Sequence, residues 1–470
     1  MTSCSVGPSY TPPGIGIPSE WKNKNEKCQG CEPNKISEQA DLDYWWQVFD
    51  DAKLEELESL AIQNNRNLYV AYERINEARA LMGIAASEFY PQINLNPVYT
   101  NTGELIKNYT NPNNVAAAPA IETNAFRAHE LYYFMPINLS YEVDLWGKIR
   151  DQYDASKYTW LAQKKDYEVV MLSLTTNLAT AYYQLRAIDA QIDLLLEVLK
   201  TRQTAYEINK ARYEEEIIFY ADVTLAAEEV DSALGQYNEV LRQRNVLEDQ
   251  IAVLIGVPAS EFCLEHMPLK GMPPCIPSGI PSEILLRRPD IAEAEYHLRS
   301  DHALIKRAYS LFFPSLTLTA TGGFESPVLK DFLKWMSRYW MLGTNINQLI
   351  FDGFKTPYYL DSQIARFKEA SGQYQQQVLI AFQEVEDALA DLDSYAKQYD
   401  LAVATEEWAQ ETYQLYLDRY MLGVIYYINV ANTERDLLNY KIAVNTLQGF
   451  RYVSTIQFIK ALGGGWYYEP

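Results

Sequence analysis

Positive charge is the first shortage. The 470 residues carry 40 Lys and Arg against 62 Asp and Glu, a formal charge of −22. A nucleic-acid partner needs clustered cations, so none is expected. Histidine is scarcer still, with four residues that do not cluster. His297 and His302 lie in one helical pattern at a spacing that does not suit a zinc pair. No nucleophile–base spacing, P-loop or GxGxxG occurs, so no catalytic residue, metal site or cofactor is expected. The chain also lacks any run of about 18 apolar residues, so no single helix is expected to cross a bilayer. A membrane role would fall to strands or to a lipid. What is abundant argues against disorder: 48% of residues are hydrophobic, 13% are aromatic, and 36 are Tyr.

Cysteine is sparse and uneven. The chain opens MTSCSVGPSYTPP, with Met1-Thr2-Ser3 before Cys4. Those three residues suit the end of a lipoprotein signal, but the apolar region that would precede them is absent from the chain. A lipid-bearing Cys4 and an incidental cysteine in a tail both fit the local sequence. Cys28-Gln-Gly-Cys31 has the spacing of a redox or zinc pair, yet it sits in a Pro/Asn/Lys-rich stretch. Cys263 and Cys275 flank a Pro-rich segment. Zinc is weakly supported by such a set. In an oxidising compartment, disulfides among Cys28, Cys31, Cys263 and Cys275 are the simpler expectation, with three possible pairings.

The chain repeats itself. Asn65 to Leu95 matches Arg288 to Leu318 without a gap, so that Phe89-Tyr90-Pro91 falls on Phe312-Phe313-Pro314. Leu145-Trp146-Gly147 corresponds to Phe351-Asp352-Gly353, Arg212-Tyr213 to Arg419-Tyr420, and Leu254-Ile255-Gly256 to Ala461-Leu462-Gly463. The expected organisation is an N-terminal extended segment over 1–50, a first repeat over 51–257, a Pro-rich linker over 258–281, a second repeat over 282–463 and a tail over 464–470.

Each repeat has the same internal order. A helix is expected over Leu54–Glu88 and again over Ser282–Leu311, ending before an aromatic pair and Pro. Strands follow. Ile137, Leu139, Tyr141, Val143 and Leu145 alternate with Asn138, Ser140, Glu142 and Asp144, and Ile93 and Leu95 alternate with Gln92, Asn94 and Asn96. The second copy offers Leu316 and Leu318 against Thr317 and Thr319, then Leu342–Phe351 less cleanly. A long helix comes next. Apolar residues from Tyr167 to Leu199 recur at spacings of four and three, as do Val378, Ala381, Val385, Ala388, Leu392, Tyr395, Tyr399 and Ala402. That is a coiled-coil packing seam. The stretch Gly147–Lys210 would be ~96 Å long, matching the ~100 Å of Leu54–Glu88 and Val223–Leu254 stacked end to end. One long helix can therefore lie beside two shorter ones.

Four strands per chain cannot close a barrel, and open strand edges are not tolerated in lipid. The smallest membrane barrels have eight strands, so a pore would have to be an oligomer with the polar strand faces inside.

These features are spread over a chain that resembles the TolC-like outer membrane factors, in the lipoprotein branch that serves resistance-nodulation-division efflux systems. CSVGPSYTPP (Cys4–Pro13) is similar to the lipidated start of that family, and WWQVFDDAKLEELESLAIQNNRNL (Trp45–Leu68) to its opening helix. LLRRPDIAEAEYHL (Leu285–Leu298), the following FFPSLTL, RYMLGVIYYINV (Arg419–Val430) and ALGGGW (Ala461–Trp466) resemble its second-half motifs. The resemblance implies a mainly α fold with a membrane β-barrel. A homotrimer would share a 12-stranded barrel, a long periplasmic helical barrel and an equatorial domain. It implies acylation at Cys4, an outer-membrane lipid surround, and a pump partnership with a periplasmic adaptor and an inner-membrane transporter. It also implies adaptor-docking tips at Arg212, Tyr213, Arg419 and Gly423, and a periplasmic gate around Tyr420, Asn429, Asn432 and Asp222. Here the sequence departs from the family. Glu216 stands where the first tip would have Gly, so a differently shaped turn is expected there, and amides occupy positions 429 and 432 where acids are usual. The other classes compatible with the sequence are a channel for type I protein secretion and a non-porous coiled-coil scaffold, the latter leaving the strands unexplained.

Overall fold

The computed structural model describes residues 6–22, 42–110, 121–276 and 287–464. In chain order the main elements are α1 (Ala52–Asn64), α2 (Arg66–Ser87), β1 (Gln92–Leu95), β2 (Val98–Thr110), β3 (Ile121–Val143), α3 (Lys148–Glu214) and α4 (Tyr220–Leu254). The second half gives α5 (Pro289–Ser310), β4 (Ser315–Ser326), β5 (Arg338–Asn347), α6 (Lys355–Met421) and α7 (Tyr427–Ala461). The order helix, strands, long helix, helix recurs in both halves, with 67 residues in each long helix and 35 in each helix that follows.

Two compact units each draw on both repeats. The strand unit comprises Met1–Thr11, Ala78–Trp160 and His297–Ala370; the helical unit comprises Pro12–Glu77, Leu161–Tyr296 and Ser371–Pro470. In the strand unit the sheet runs β1-β3-β4-β5, with β2 also pairing β3, all antiparallel. β1 and β2 are one strand interrupted at Asn96-Pro97, where proline has no N–H to give to the ladder. The register sorts the faces. Ile93 opposes Leu139, Leu139 opposes Ala320, and Ala320 opposes Leu342. One step along, Ser140 opposes both Gln92 and Thr319, and Asn138 opposes Thr321. A one-residue slip would exchange the two faces, so the alternation fixes the register. The apolar face is exposed, with Ile93, Ile137, Leu342 and Ile346 all more than half accessible. Trp146 anchors the start of α3 to the sheet, donating from Nε1 to the Pro314 carbonyl at 2.8 Å and stacking on Phe313 at 4.8 Å.

The helical unit buries the seam. Leu178, Leu185 and Leu195 on α3, with Val378, Ala381 and Val385 on α6, are fully buried. Leu178, Leu185 and the three α6 residues share a core with Trp45, Trp46, Leu54, Ile251, Ile456 and Phe458. The repeat extends to single hydrogen bonds. Asn65 Nδ2 donates to the Leu254 carbonyl at 2.8 Å, and its counterpart Arg288 donates from Nη1 to the Ala461 carbonyl at 3.0 Å. Both carbonyls lie at helix C-termini, where orphan acceptors need partners. Gly256 follows at φ +75°, and a Cβ there would meet the Asn64 carbonyl at 2.6 Å, so this close approach requires glycine.

Three expectations change. The helix expected over Leu54–Glu88 is two helices, because Asn65 takes an extended conformation and its Oδ1 accepts from Asn67 and Leu68 N–H as a new N-cap. The last strand lies at Arg338–Asn347, with Leu349–Phe351 beyond it. Finally, Cys263 is free and exposed, while Cys275 is disulfide-bonded. The pairing of all four cysteines is corrected for Cys263: its neighbour Leu264 is clamped inward, the N–H bonding the Glu248 carboxylate and the carbonyl accepting from Arg244 Nη2 at 2.7 Å. That leaves Cys263 facing solvent. Cys4, Cys28 and Cys31 lie outside the described residues.

Candidate functional site: the paired helix turns and the two-faced sheet

The α3–α4 and α6–α7 turns share one hydrogen-bond pattern. Ile217 N–H donates to Arg212 O and Glu216 N–H to Tyr213 O, both at 2.9 Å; Val424 N–H donates to Arg419 O at 3.0 Å and Gly423 N–H to Tyr420 O at 2.9 Å. This nested pair is a Schellman motif, which requires a left-handed residue after the helix. Gly423 supplies it at φ 75° and Glu216 at φ 60°. The first turn therefore has the same backbone as the second, contrary to the expectation from Glu216. The nested hydrogen bonds impose the conformation although the residue is not glycine.

The side chains around the turns differ. Tyr213 meets Tyr220 at 5.3 Å and Tyr420 meets Tyr427 at 5.7 Å, the same seven-residue reach in each repeat. Tyr220 is 61% exposed, however, whereas Tyr427 is buried with Ala226, Val430 and Ala431. Tyr420 is held from α3. Its hydroxyl accepts from Arg212 Nη1 and donates to Asn209 Oδ1, each at 2.9 Å, with the Arg212 guanidinium 5.3 Å from the ring centroid. Deeper along the same seam, Arg202 is 1% exposed and pairs with Glu229 at 2.9 Å and Glu434 at 3.6 Å, joining α3, α4 and α7. Burial pushes the Glu434 carboxyl up, and Arg202 partly opposes that shift.

Of the residues expected at the gate, Tyr420 is thus tied to Arg212, one of those expected at the docking tips. Asn429 bonds the Tyr426 carbonyl at 3.3 Å, and Asn432 accepts from Arg435 at 2.9 Å, both within α7 and its cap. Asp222 lies in the first turn of α4, where a negative side chain complements the helix dipole. Arg419, Tyr213 and Gly423 are exposed on the turns. The side-chain hydrogen bonds of Asn429 and Asn432 thus stay within α7 and its cap, while those of Tyr420 go to α3. The sequence reading missed Asn209 and Arg202, although a signal was present. The stripe through Leu195 and Leu199 continues at the same spacing as Arg202, Tyr206, Asn209 and Tyr213, so the seam turns polar toward the turn.

The sheet carries the second functional feature. Its polar face presents Asn138, Ser140, Thr317, Thr319 and Thr321, with Thr321 Oγ1 donating to Asn138 Oδ1 at 3.0 Å. Aromatics gather where β4 ends and β5 begins: Phe134 stacks on Tyr132 and Tyr339, and Arg338 lies 3.5 Å over the Trp335 ring. Among the described residues the outer edges of β1/β2 and β5 pair with no strand.

Comparison with known proteins agrees with this architecture. The family model described as outer membrane efflux protein matches residues 57–257 and 280–464. A probable efflux pump outer membrane protein of Pseudomonas putida, TtgC, is 28% identical over 99% of this chain and 94% of its own length. The cation efflux system protein CusC of Escherichia coli O157:H7 is 26% identical over 99% of this chain and 96% of its own length. Among solved structures, the CmeC outer membrane channel of Campylobacter jejuni superposes with a TM-score of 0.82 at 27% identity, covering 98% of this chain and 95% of that one. A CusC crystal structure superposes with a TM-score of 0.82 at 25% identity, covering 98% of this chain and 100% of that one. The chain belongs to the outer membrane efflux protein family, with the two-repeat, mainly helical fold and strand sheet of its channels.

Proposed function

We propose that this protein is the outer-membrane channel of a tripartite efflux pump, carrying small molecules onward from an inner-membrane resistance-nodulation-division transporter and a periplasmic adaptor. Three chains share one 12-stranded barrel, and their helices form a tunnel in the periplasm. The observation that carries this reading is the sheet: one exposed apolar face, one polar face and two edges that pair with no strand among the described residues. Such a sheet is stable in lipid only when other chains complete the ring. Cys4 is acylated and adds a secondary anchor, since one lipid alone binds weakly. The turns at Arg212, Tyr213, Arg419 and Gly423 meet the adaptor. The resting channel is shut there by Tyr420, with Asn429, Asn432 and Asp222 acting between neighbouring chains. Opening requires the adaptor to bind the open turns better than the closed ones. The efflux relatives favour this reading over a protein-secretion channel. Planar-bilayer recording of the purified protein tests it. Discrete conductance steps are expected, and a protein that inserts without conducting would be a scaffold.

A further inference from the structure

Within the strand unit a cavity of about 390 Å³ lies between α3, α5 and the N-terminal residues 7–10. That volume is in the usual ~300–1,000 Å³ range of small-molecule sites. Asp151 at its wall is 0% exposed. The Lys306 ammonium lies 3.1 Å from its Oδ1, while Oδ2 is buried with no hydrogen-bond partner. His302 is 9% exposed; its ring bonds the backbone of Pro8, and its Nε2 is buried with no hydrogen-bond partner. Tyr10 closes against that ring at 5.4 Å. Burial and Lys306 hold the imidazole below its ordinary pKa, so near neutral pH it donates once, to Pro8, and Nε2 offers a lone pair. With Lys306 on Oδ1, the cavity is left with two buried acceptors that have no donor, Asp151 Oδ2 and His302 Nε2. Leaving such atoms buried and unpaired is unfavourable.

What these two acceptors need is a second donor beside Lys306. Among the described residues no three His, Cys, Asp or Glu side chains are grouped as a metal would need. A primary ammonium carries three N–H donors, enough for both. The position in the fold names its source. β3 ends at Val143 and α3 begins at Lys148, so Asp151 sits only ~5 Å along the helix from the strand side. The polar layer flanking a bilayer's hydrocarbon core is ~5–8 Å thick. We propose that this cavity binds the ethanolamine headgroup of a phospholipid, its ammonium donating to the Asp151 carboxylate and His302 Nε2, with Lys306 beside the phosphate. The assignment rests on the reading that the sheet lies in the outer membrane.

The test is native mass spectrometry of the delipidated, detergent-solubilised protein. It is titrated with short-chain phosphatidylethanolamine, short-chain phosphatidylcholine or free phosphoethanolamine. The ethanolamine lipid should bind about tenfold or more tightly than the choline lipid, whose quaternary nitrogen has no N–H donor. His302→Phe and Asp151→Asn should each abolish that preference while leaving the oligomer mass unchanged. Equal binding of the two lipids to the wild type would overturn the proposal without need of a variant. Free phosphoethanolamine binding as well as the lipid would overturn the lipid source. Vesicle flotation separates the two readings: failure to insert refutes the membrane assignment, whereas insertion without headgroup preference refutes this site alone.

Discussion

Glu216 holds the left-handed conformation that Gly423 holds in the other repeat. For a residue with a Cβ this costs roughly 1 kcal/mol. Glu216→Gly should therefore stabilise the folded protein by about 1 kcal/mol, and Gly423→Ala should destabilise it by a similar amount, both read by chemical denaturation. Tyr420 is held by one hydroxyl with two partners, Arg212 and Asn209. Tyr420→Phe keeps the ring against Tyr427 and removes both bonds, about 1–3 kcal/mol of local restraint. Under the proposed gate, it should raise single-channel conductance without the adaptor, and Tyr420→Ala combined with Asp222→Ala should raise it further. Unchanged conductance would put the gate elsewhere. Asp151 makes a pH prediction. Burial lifts its carboxyl from 3.8 to about 6, with Lys306 opposing. A carboxyl whose pKa rises on folding stabilises the fold while protonated, below pH 3.8, and that contribution is lost as the pH climbs to about 6. Asp151→Asn should flatten the melting temperature across that window; an unchanged slope would mean that another group titrates there. The recurrence of Arg-Tyr marked corresponding positions in the two repeats, and the family resemblance pointed to turns there and to Tyr420. The sequence did not reveal the partner Asn209, which depends on how distant helices pack, nor the conformation of Glu216, which the nested hydrogen bonds impose against local preference.

The strands and helices themselves were largely legible. The three-four spacing on α3 and α6 marked the buried seam, and the alternation from Ile137 to Val143 marked a strand with unlike faces. The rest depended on partners beyond the local window. Asn65 divides a continuous helical pattern because its amide caps α2 and also reaches the Leu254 carbonyl. The long β2–β3 hairpin reads weakly as strand from sequence, and its pairing is set by the ladder from Val98↔Phe134 to Thr110↔Ile121. The face assignment is testable with two neighbouring residues. Leu318→Arg puts a charge on the apolar face and should cost up to ~2–4 kcal/mol at the bilayer midplane, seen as lost insertion. Thr319→Arg, on the opposite face, should insert nearly as well as wild type. Equal loss in both would mean that the two faces are not lipid and lumen.

The division into repeats crosses the division into compact units, since both copies contribute strands and helix ends to the one unit and helices to the other. The internal match visible in sequence thus identified a duplicated element order, and packing between copies decided which parts cohere. The charge of −22 on each chain bears on permeation. Copies arranged about one axis focus that field, so the channel should prefer cations; a reversal potential favouring anions in a salt gradient would contradict this. Under the proposed acylation of Cys4, Cys4→Ser should abolish lipid labelling and leave much of the insertion intact, the strands being the proposed main membrane element. The central claim is that the open edges of β1/β2 and β5 are completed by other copies of the chain. Mass measurement of the protein extracted from the membrane in detergent tests it most directly. The account predicts three times the 54.0 kDa chain mass, and a stable monomer in detergent would contradict it.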